Sequence, residues 1–283
     1  MNMNIKHDEI IRNSLKRRSR IQNIDESGVI ILNYDPEQYP FVRFLTSLLI
    51  ENDFMMNDAS LEKLHTNLQQ KDMDVDLYGF NKITASTYES SEELKSLYKQ
   101  FMSEVIIPLI GQDSYIQKTP TNRFSFPFAN GVNERFYHND LMLGHPPEEI
   151  NVWVPFTNTI KSQSFKILPL DKSIVLLETY NFKLEDLKNA ILNDDSVYSF
   201  INENSHYVEM SLGEVMLFDS RCLHGVRKNR SEFSRASMDI RILPVDDFSI
   251  MPFKYKGSKG TKRQSHFTPG DYYSNNPVRI NHL

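Results

Sequence analysis

Residues 213–244 read GEVMLFDSRCLHGVRKNRSEFSRASMDIRILP, and the fold follows from how this stretch alternates. Its first run is short, apolar and rich in β-formers, and it closes at Asp219-Ser220. In an extended second run, Arg235, Ser237, Asp239 and Arg241 share one face, while Ala236, Met238, Ile240 and Ile242 share the other. Working outward, YIQKTPTNRFSFPF (115–128), GVNERFYHNDLML (131–143), EINVWVPFTNT (149–159) and QSFKILPLD (163–171) have the same texture. They are short, β-branched or aromatic, and punctuated by Pro, Gly, Asn and Asp. That spacing predicts an antiparallel all-β barrel or sandwich over 114–245.

Before residue 114 the period changes. Residues 1–26 read as a polar, partly helical leader, and GVIILNY (28–34) as a short strand opened by Gly. Phe41, Phe44, Leu45, Leu48 and Leu49 then recur at helical spacing. A second helix is expected at 59–70, with Ser60 as its cap and Glu62 in the first turn. A third is expected at 90–110, with Leu94, Leu97, Tyr98, Phe101 and Val105 on one stripe and a stop at Pro108 and Gly111. Residues 1–113 therefore read as an N-terminal helical layer. Residues 180–205 interrupt the strands with helical periodicity, as an insertion over one end of the barrel. Residues 246–283 form a Gly-, Lys-, Ser- and Pro-containing tail, expected as a loosely structured wrap. With no internal repeat or low-complexity tract, 1–283 is expected to be a single domain, mainly β with flanking helices.

Composition narrows the function classes. Hydrophobic residues make up 40%, aromatics 11% and charged residues 24% of 283 residues, an ordinary globular profile. A net charge of −5 argues against broad nucleic-acid binding, which requires a basic face. The basic clusters Lys16–Arg18 and Lys254–Arg263 read as solvated surface. A single cysteine, Cys222, excludes an internal disulfide and any Cys-rich metal site, and reads as a small buried hydrophobe. The charged N-terminus lacks a signal-peptide core, and no apolar run approaches membrane-spanning length. The expectation is a cytoplasmic protein acting on a small molecule, with no nucleic-acid or membrane partner.

FYHNDLM, residues 136–142, places His138 two positions before Asp140 inside an aromatic and aliphatic run. With 8 His and 37 acidic residues in the chain, about one such tripeptide arises by chance. A second, His7-Asp8-Glu9, indeed stands in a polar segment with nothing strand-like around it. The triplet needs a third donor. His224 offers one where a strand gives way to a turn, 86 residues beyond His138; a surface turn histidine fits the same position. Two His and one carboxylate form the facial triad that holds Fe(II) and leaves coordination positions open. Arg235, with the hydroxyl of Ser237 two residues on, is costly inside a barrel unless an anion neutralises it. A dicarboxylate would do so through charge-assisted, bidentate hydrogen bonds; an exposed sheet face is the other placement. His145, between Gly144 and a proline, reads as a loop histidine.

His138-x-Asp140, then His224, then Arg235-x-Ser237 resembles the Fe(II)/2-oxoglutarate-dependent oxygenases. Within them the chain is most similar to the phytanoyl-CoA hydroxylase-like and StrG-like branches, over about residues 114–245. The resemblance implies a double-stranded β-helix (jelly-roll, cupin-like) core, with His138, Asp140 and His224 as iron ligands. It implies Arg235 and Ser237 as the grip on the distal carboxylate of 2-oxoglutarate, and O2 as the other co-substrate. Arg123 falls on an earlier strand where related enzymes place groups around co-substrate or substrate. Trp153, the only Trp, stands in INVWVPF as a pocket wall or as core. The family's Gly-rich turn is poorly kept in SQSFKILPLDKS (162–173). The implied reaction couples decarboxylation of 2-oxoglutarate, to succinate and CO2, with hydroxylation of a small polar metabolite such as a sugar or aminocyclitol. Retention of Asp140 disfavours halogenation. Two readings outside this class remain: a cupin-like enzyme that does not use 2-oxoglutarate, and a non-catalytic jelly-roll module that binds a ligand.

Overall fold

The structure, a computed structural model, describes residues 9–10, 12–14, 19, 21, 24–76, 79–88, 92–246, 248 and 267–280. His7, Asp8 and both basic clusters lie outside them. The strands are β1 (Val29–Asn33), β2 (Ser114–Ile116), β3 (Thr121–Ser125), β4 (Ile150–Pro155), β5 (Phe165–Ile167), β6 (His206–Tyr207), β7 (Glu214–Asp219), β8 (His224–Val226) and β9 (Arg235–Pro244). A six-stranded sheet runs β1-β7-β4-β9-β2 with β3 also paired to β9, and a three-stranded sheet runs β6-β5-β8. Every paired strand is antiparallel.

Period-two alternation decides what each sheet face meets. Val152 and Val154 of β4, Val215 and Leu217 of β7, and Ala236, Met238, Ile240 and Ile242 of β9 join one cluster with the N-terminal helices. Phe41–Glu51 and Glu92–Phe101 supply Phe41, Leu45, Leu49, Leu94 and Phe101 to it, as their spacing predicts. The alternate residues Trp153, Met216 and Phe218 face Phe165 and Ile167 of the smaller sheet. The polar face of β9 points the same way, into a cavity between the two sheets. This mainly antiparallel, helix-flanked architecture is the one expected.

Four local expectations need correction. The segment expected as a helix at 59–70 is a 3-10 helix, Leu61–Asn67, and the Ser60 side chain caps nothing. Its buried residues are Leu61 and Leu64, and a three-residue turn stacks that pair. The segment is tied down by Ser234, whose N–H donates to the Glu62 carbonyl at 2.7 Å. Pro108 does not stop the third helix. A π-helical stretch, Met102–Ile106, precedes a last turn Ile107–Ile110, so Pro108 sits in a first turn where its missing N–H costs little. Gly111, at φ 73°, ends it.

The insertion begins earlier than 180. Three helices, Leu170–Thr179, Leu184–Asn193 and Asp195–Asn204, fill the space between β5 and β6. They bury Leu177, Leu187, Ile191 and Ile201 against Tyr137, Leu141 and Leu223. None of residues 170–205 lines the cavity; these helices back the 137–142 segment.

The tail, where described, is no loose wrap. Phe267, Tyr272 and Tyr273 are buried with Leu243, and Val278 exchanges backbone hydrogen bonds with Ser114 on β2. Among the described residues no helix is long and apolar enough to cross a membrane.

Candidate metal centre

β8 begins at His224, and the 136–138 segment lies antiparallel beside it. His138 and His224 exchange both backbone hydrogen bonds, at 2.9 and 2.8 Å, and their ring centroids stand 4.4 Å apart. Residues paired in this way project their side chains to the same face. Gly225 permits the approach, because a Cβ there would lie 2.7 Å from the Phe136 carbonyl oxygen. Asn139, between the two donors, makes the turn: its side-chain oxygen accepts the Met142 N–H at 3.2 Å and opens a 3-10 turn, Asp140–Leu143. The Asp140 N–H donates to the Ser220 carbonyl at 3.1 Å, which pins the carboxylate to the loop after β7.

One ligand atom from each of His138, Asp140 and His224 lies within 4.8 Å of the other two. His224 Nδ1 lies 3.0 Å from the Cys222 carbonyl, which must receive an N–H, so Nε2 carries the lone pair. That Nε2 is 3.8 Å from Asp140 Oδ1. Asp140 Oδ2 accepts Arg241 Nε at 2.9 Å, while Oδ1 and His138 Nδ1 have no hydrogen-bond partner among the described residues. Buried acceptors left open in this way fit a cation. Burial pushes both imidazoles below their ordinary range, toward the neutral form that ligates a metal. Burial alone would raise the Asp140 carboxyl; Arg241, with the nearby histidines, overrides it and holds the group well below the carboxylate range. Two imidazoles and one carboxylate suit Fe(II).

Farther along β9, Arg235 lines the same cavity and is 4% exposed; among the described residues its Nε and Nη1 are unpartnered, as is the buried Ser237 Oγ two residues on. The exposed-face placement is thereby excluded. Burial pushes the guanidinium down to about 10, opposed by Asp239 and aided by Arg123, so it stays charged at neutral pH. Its Cζ lies 5.7 Å from the Trp153 ring centre, and Trp153 both lines the cavity and joins the core. Arg123 also lines the cavity, but its Nε is given to Asp239 at 2.9 Å and its guanidinium covers Phe80 at 4.2 Å.

His145 is not a free loop histidine. It is buried, stacked on Phe267, and its Nδ1 lies 2.8 Å from Glu149 Oε2. Sequence reasoning missed Glu149, Tyr273 and the role of Arg241. The one available signal was Arg241 on the same strand face as Arg235.

The arrangement defines a class of fold: a mainly antiparallel, jelly-roll-type core flanked by helices, with a His-Asp-His donor set beside its cavity. The fold is shared with the alpha-ketoglutarate-dependent carbocyclase SnoK from nogalamycin biosynthesis, at TM-score 0.54 and 13% identity over 92% of this chain and 98% of that one. It is shared with EctD from S. alaskensis, solved with 2-oxoglutarate and 5-hydroxyectoine, at TM-score 0.55 and 14% identity over 94% and 89%. In sequence the chain is similar to the streptomycin biosynthesis protein StrG of Streptomyces griseus, 27% identical over 165 residues. The match takes in 57% of this chain and 62% of that relative's length. No family model matches.

Proposed function

We propose that residues 1–283 act as one non-haem Fe(II)- and 2-oxoglutarate-dependent oxygenase domain, an oxidoreductase that hydroxylates a small polar metabolite with release of succinate and CO2. The observation that carries this reading is the buried Arg235 guanidinium, which lines the cavity together with His138 and His224 and has two N–H donors open among the described residues, with the open Ser237 hydroxyl two residues on along β9. A buried cation without a partner is costly, and a dicarboxylate reaching from the metal to Arg235 would remove that cost.

Bound Fe(II) would supply O2 activation driven by the keto acid, chemistry that no side chain of the protein provides. The protein's own part is to bind, orient and shield. His138, Asp140 and His224 would hold the ion. Arg235 and Ser237 would hold the distal carboxylate, with Trp153 beneath the guanidinium. Arg123, already committed to Asp239, would border the co-substrate and would not grip it. Phe165 and Phe218 set their rings at 6.1 and 5.3 Å from the His224 ring and keep water from that ligand.

Substrate hydrocarbon would lie against Phe80 and Phe136, and its polar groups would meet Asp76, Gln117 and Thr121. This suits a sugar, aminocyclitol or similar intermediate, and StrG, named for streptomycin biosynthesis, supports that class. Succinate formation should require Fe(II), 2-oxoglutarate and O2 together, measured with each omitted in turn. Metal-dependent turnover without 2-oxoglutarate would favour the cupin-like alternative. Ligand binding with no need of iron would favour the non-catalytic module.

A further inference from the structure

A second group of donors, Asp140, His145 and Glu149, also brings one atom from each residue within 4.8 Å. It is not a second metal site, because Arg241 already fills the cation's place. Its Nε donates to Asp140 Oδ2 at 2.9 Å and stands 3.5 Å from Glu149 Oε1. The first contact is a hydrogen bond, the second a charge contact. Both carboxylates are 0% exposed and the arginine side chain 12%. Glu149 is held from its far side by His145 Nδ1 at 2.8 Å and by the Tyr273 hydroxyl, which donates to the same oxygen, Oε2. Tyr273 is itself fixed, since its segment returns to β2, where the Ser274 N–H donates to the Ile116 carbonyl at 2.7 Å.

We propose that Arg241 and Glu149 are positioning residues for the metal ligand Asp140, and that the C-terminal segment anchors them through Tyr273. This rests on the metal reading above. The physical argument is one of oxygen occupancy. Arg241 ties up Oδ2 and leaves Oδ1 to face His224 Nε2, so a metal held here would be offered one carboxylate oxygen. A carboxylate free to rotate would offer both oxygens and consume a coordination position that a facial triad keeps open. Glu149 keeps the guanidinium from swinging away, and Tyr273 with His145 keeps Glu149 in place. The chain of contacts runs from the C-terminal segment through Glu149 and Arg241 to Asp140, Tyr273 and Glu149 being 124 residues apart.

Positioning and simple charge neutralisation predict opposite signs. If Arg241 only neutralises, its removal beside a cation site tightens metal binding. If it positions Asp140, its removal weakens it. The full-length protein would be titrated anaerobically with Co(II), read by its visible absorption, for wild type, Arg241→Gln and Tyr273→Phe. Arg241→Gln should bind Co(II) roughly 10- to 100-fold more weakly, as expected for an outer-shell partner, with altered band shape. Tyr273→Phe changes no charge and should weaken binding by about fivefold at most, with the same direction of spectral change. Equal or tighter binding by Arg241→Gln with a wild-type spectrum overturns the proposal. Should that variant fail to fold, Tyr273→Phe decides: a shifted spectrum supports the proposal and an unchanged one overturns it. A wild-type protein without a Co(II) absorption would remove the metal reading itself, a different failure.

Discussion

β9 carries two buried arginines in opposite states. Arg241 lies between Asp140 and Glu149, and although burial would lower its pKa, Asp140 and other acidic neighbours raise it above the ordinary value. Arg235, on the same strand and face, is pushed down to about 10 by burial and keeps Nε and Nη1 open among the described residues. Strand and face being shared, and Arg241 being if anything the more exposed of the two, the difference lies in the partners. A buried guanidinium with two carboxylates is interior structure; one with open donors is a surface waiting for an anion. The polarity of the cavity follows from this contrast, with the His-Asp-His donor set at the compensated end of β9 and the proposed co-substrate grip at the uncompensated end.

The strongest way to break the contrast is at the compensated end. A His138→Ala, His224→Ala double variant should lose Fe(II) binding altogether while keeping its circular dichroism. Neither ring belongs to the apolar clusters that hold the sheets and helices together. Full iron binding by that variant would sink the assignment of the triad.

At the uncompensated end, Arg235→Ala should spare iron and remove 2-oxoglutarate. Losing the counter-charge of a buried carboxylate is worth on the order of 2–5 kcal/mol, or roughly 30- to several-thousand-fold in affinity. The weak visible band of the 2-oxoglutarate–iron chelate, followed anaerobically, measures it. Wild-type affinity in this variant would erase the distinction between the two arginines.

How much of this was legible in the sequence depends on how far each residue's partner lies. Alternation along β9 put Arg235 and Ser237 on one face and the core residues on the other, because strand geometry is local. The three donors were readable because two share a tripeptide and the third follows shortly after the strand that ends at Asp219. The state of Arg241 was not readable. Its partners, Asp140 and Glu149, come from the segment before β4, and nothing near Arg241 in sequence announces them. Tyr273 was hidden for the same reason, since only the return of its segment onto β2 brings it to Glu149. The π-helical offset before Pro108 and the early start of the insertion at Leu170 likewise depend on packing, against the sheet in one case and behind Tyr137 in the other.

The finest test of the contrast is Ser237. Its Oγ is buried and, among the described residues, unpartnered, and its backbone pairs with Arg123 on β3 and Pro155 on β4, so two strands fix it on the same face of β9 as Arg235. If it serves the same carboxylate as Arg235, Ser237→Ala should cost one hydrogen bond, about 1 kcal/mol, or roughly fivefold in 2-oxoglutarate affinity. Stability should not fall, because the change removes a buried polar atom that has no partner and leaves a methyl group in its place. The two readouts therefore move apart, with weaker co-substrate binding and a melting temperature equal to or above that of wild type. A variant with unchanged 2-oxoglutarate affinity would restrict the grip to Arg235. A less stable variant would mean that the hydroxyl has a partner within the fold, and Ser237 would then belong with Arg241 on the compensated side.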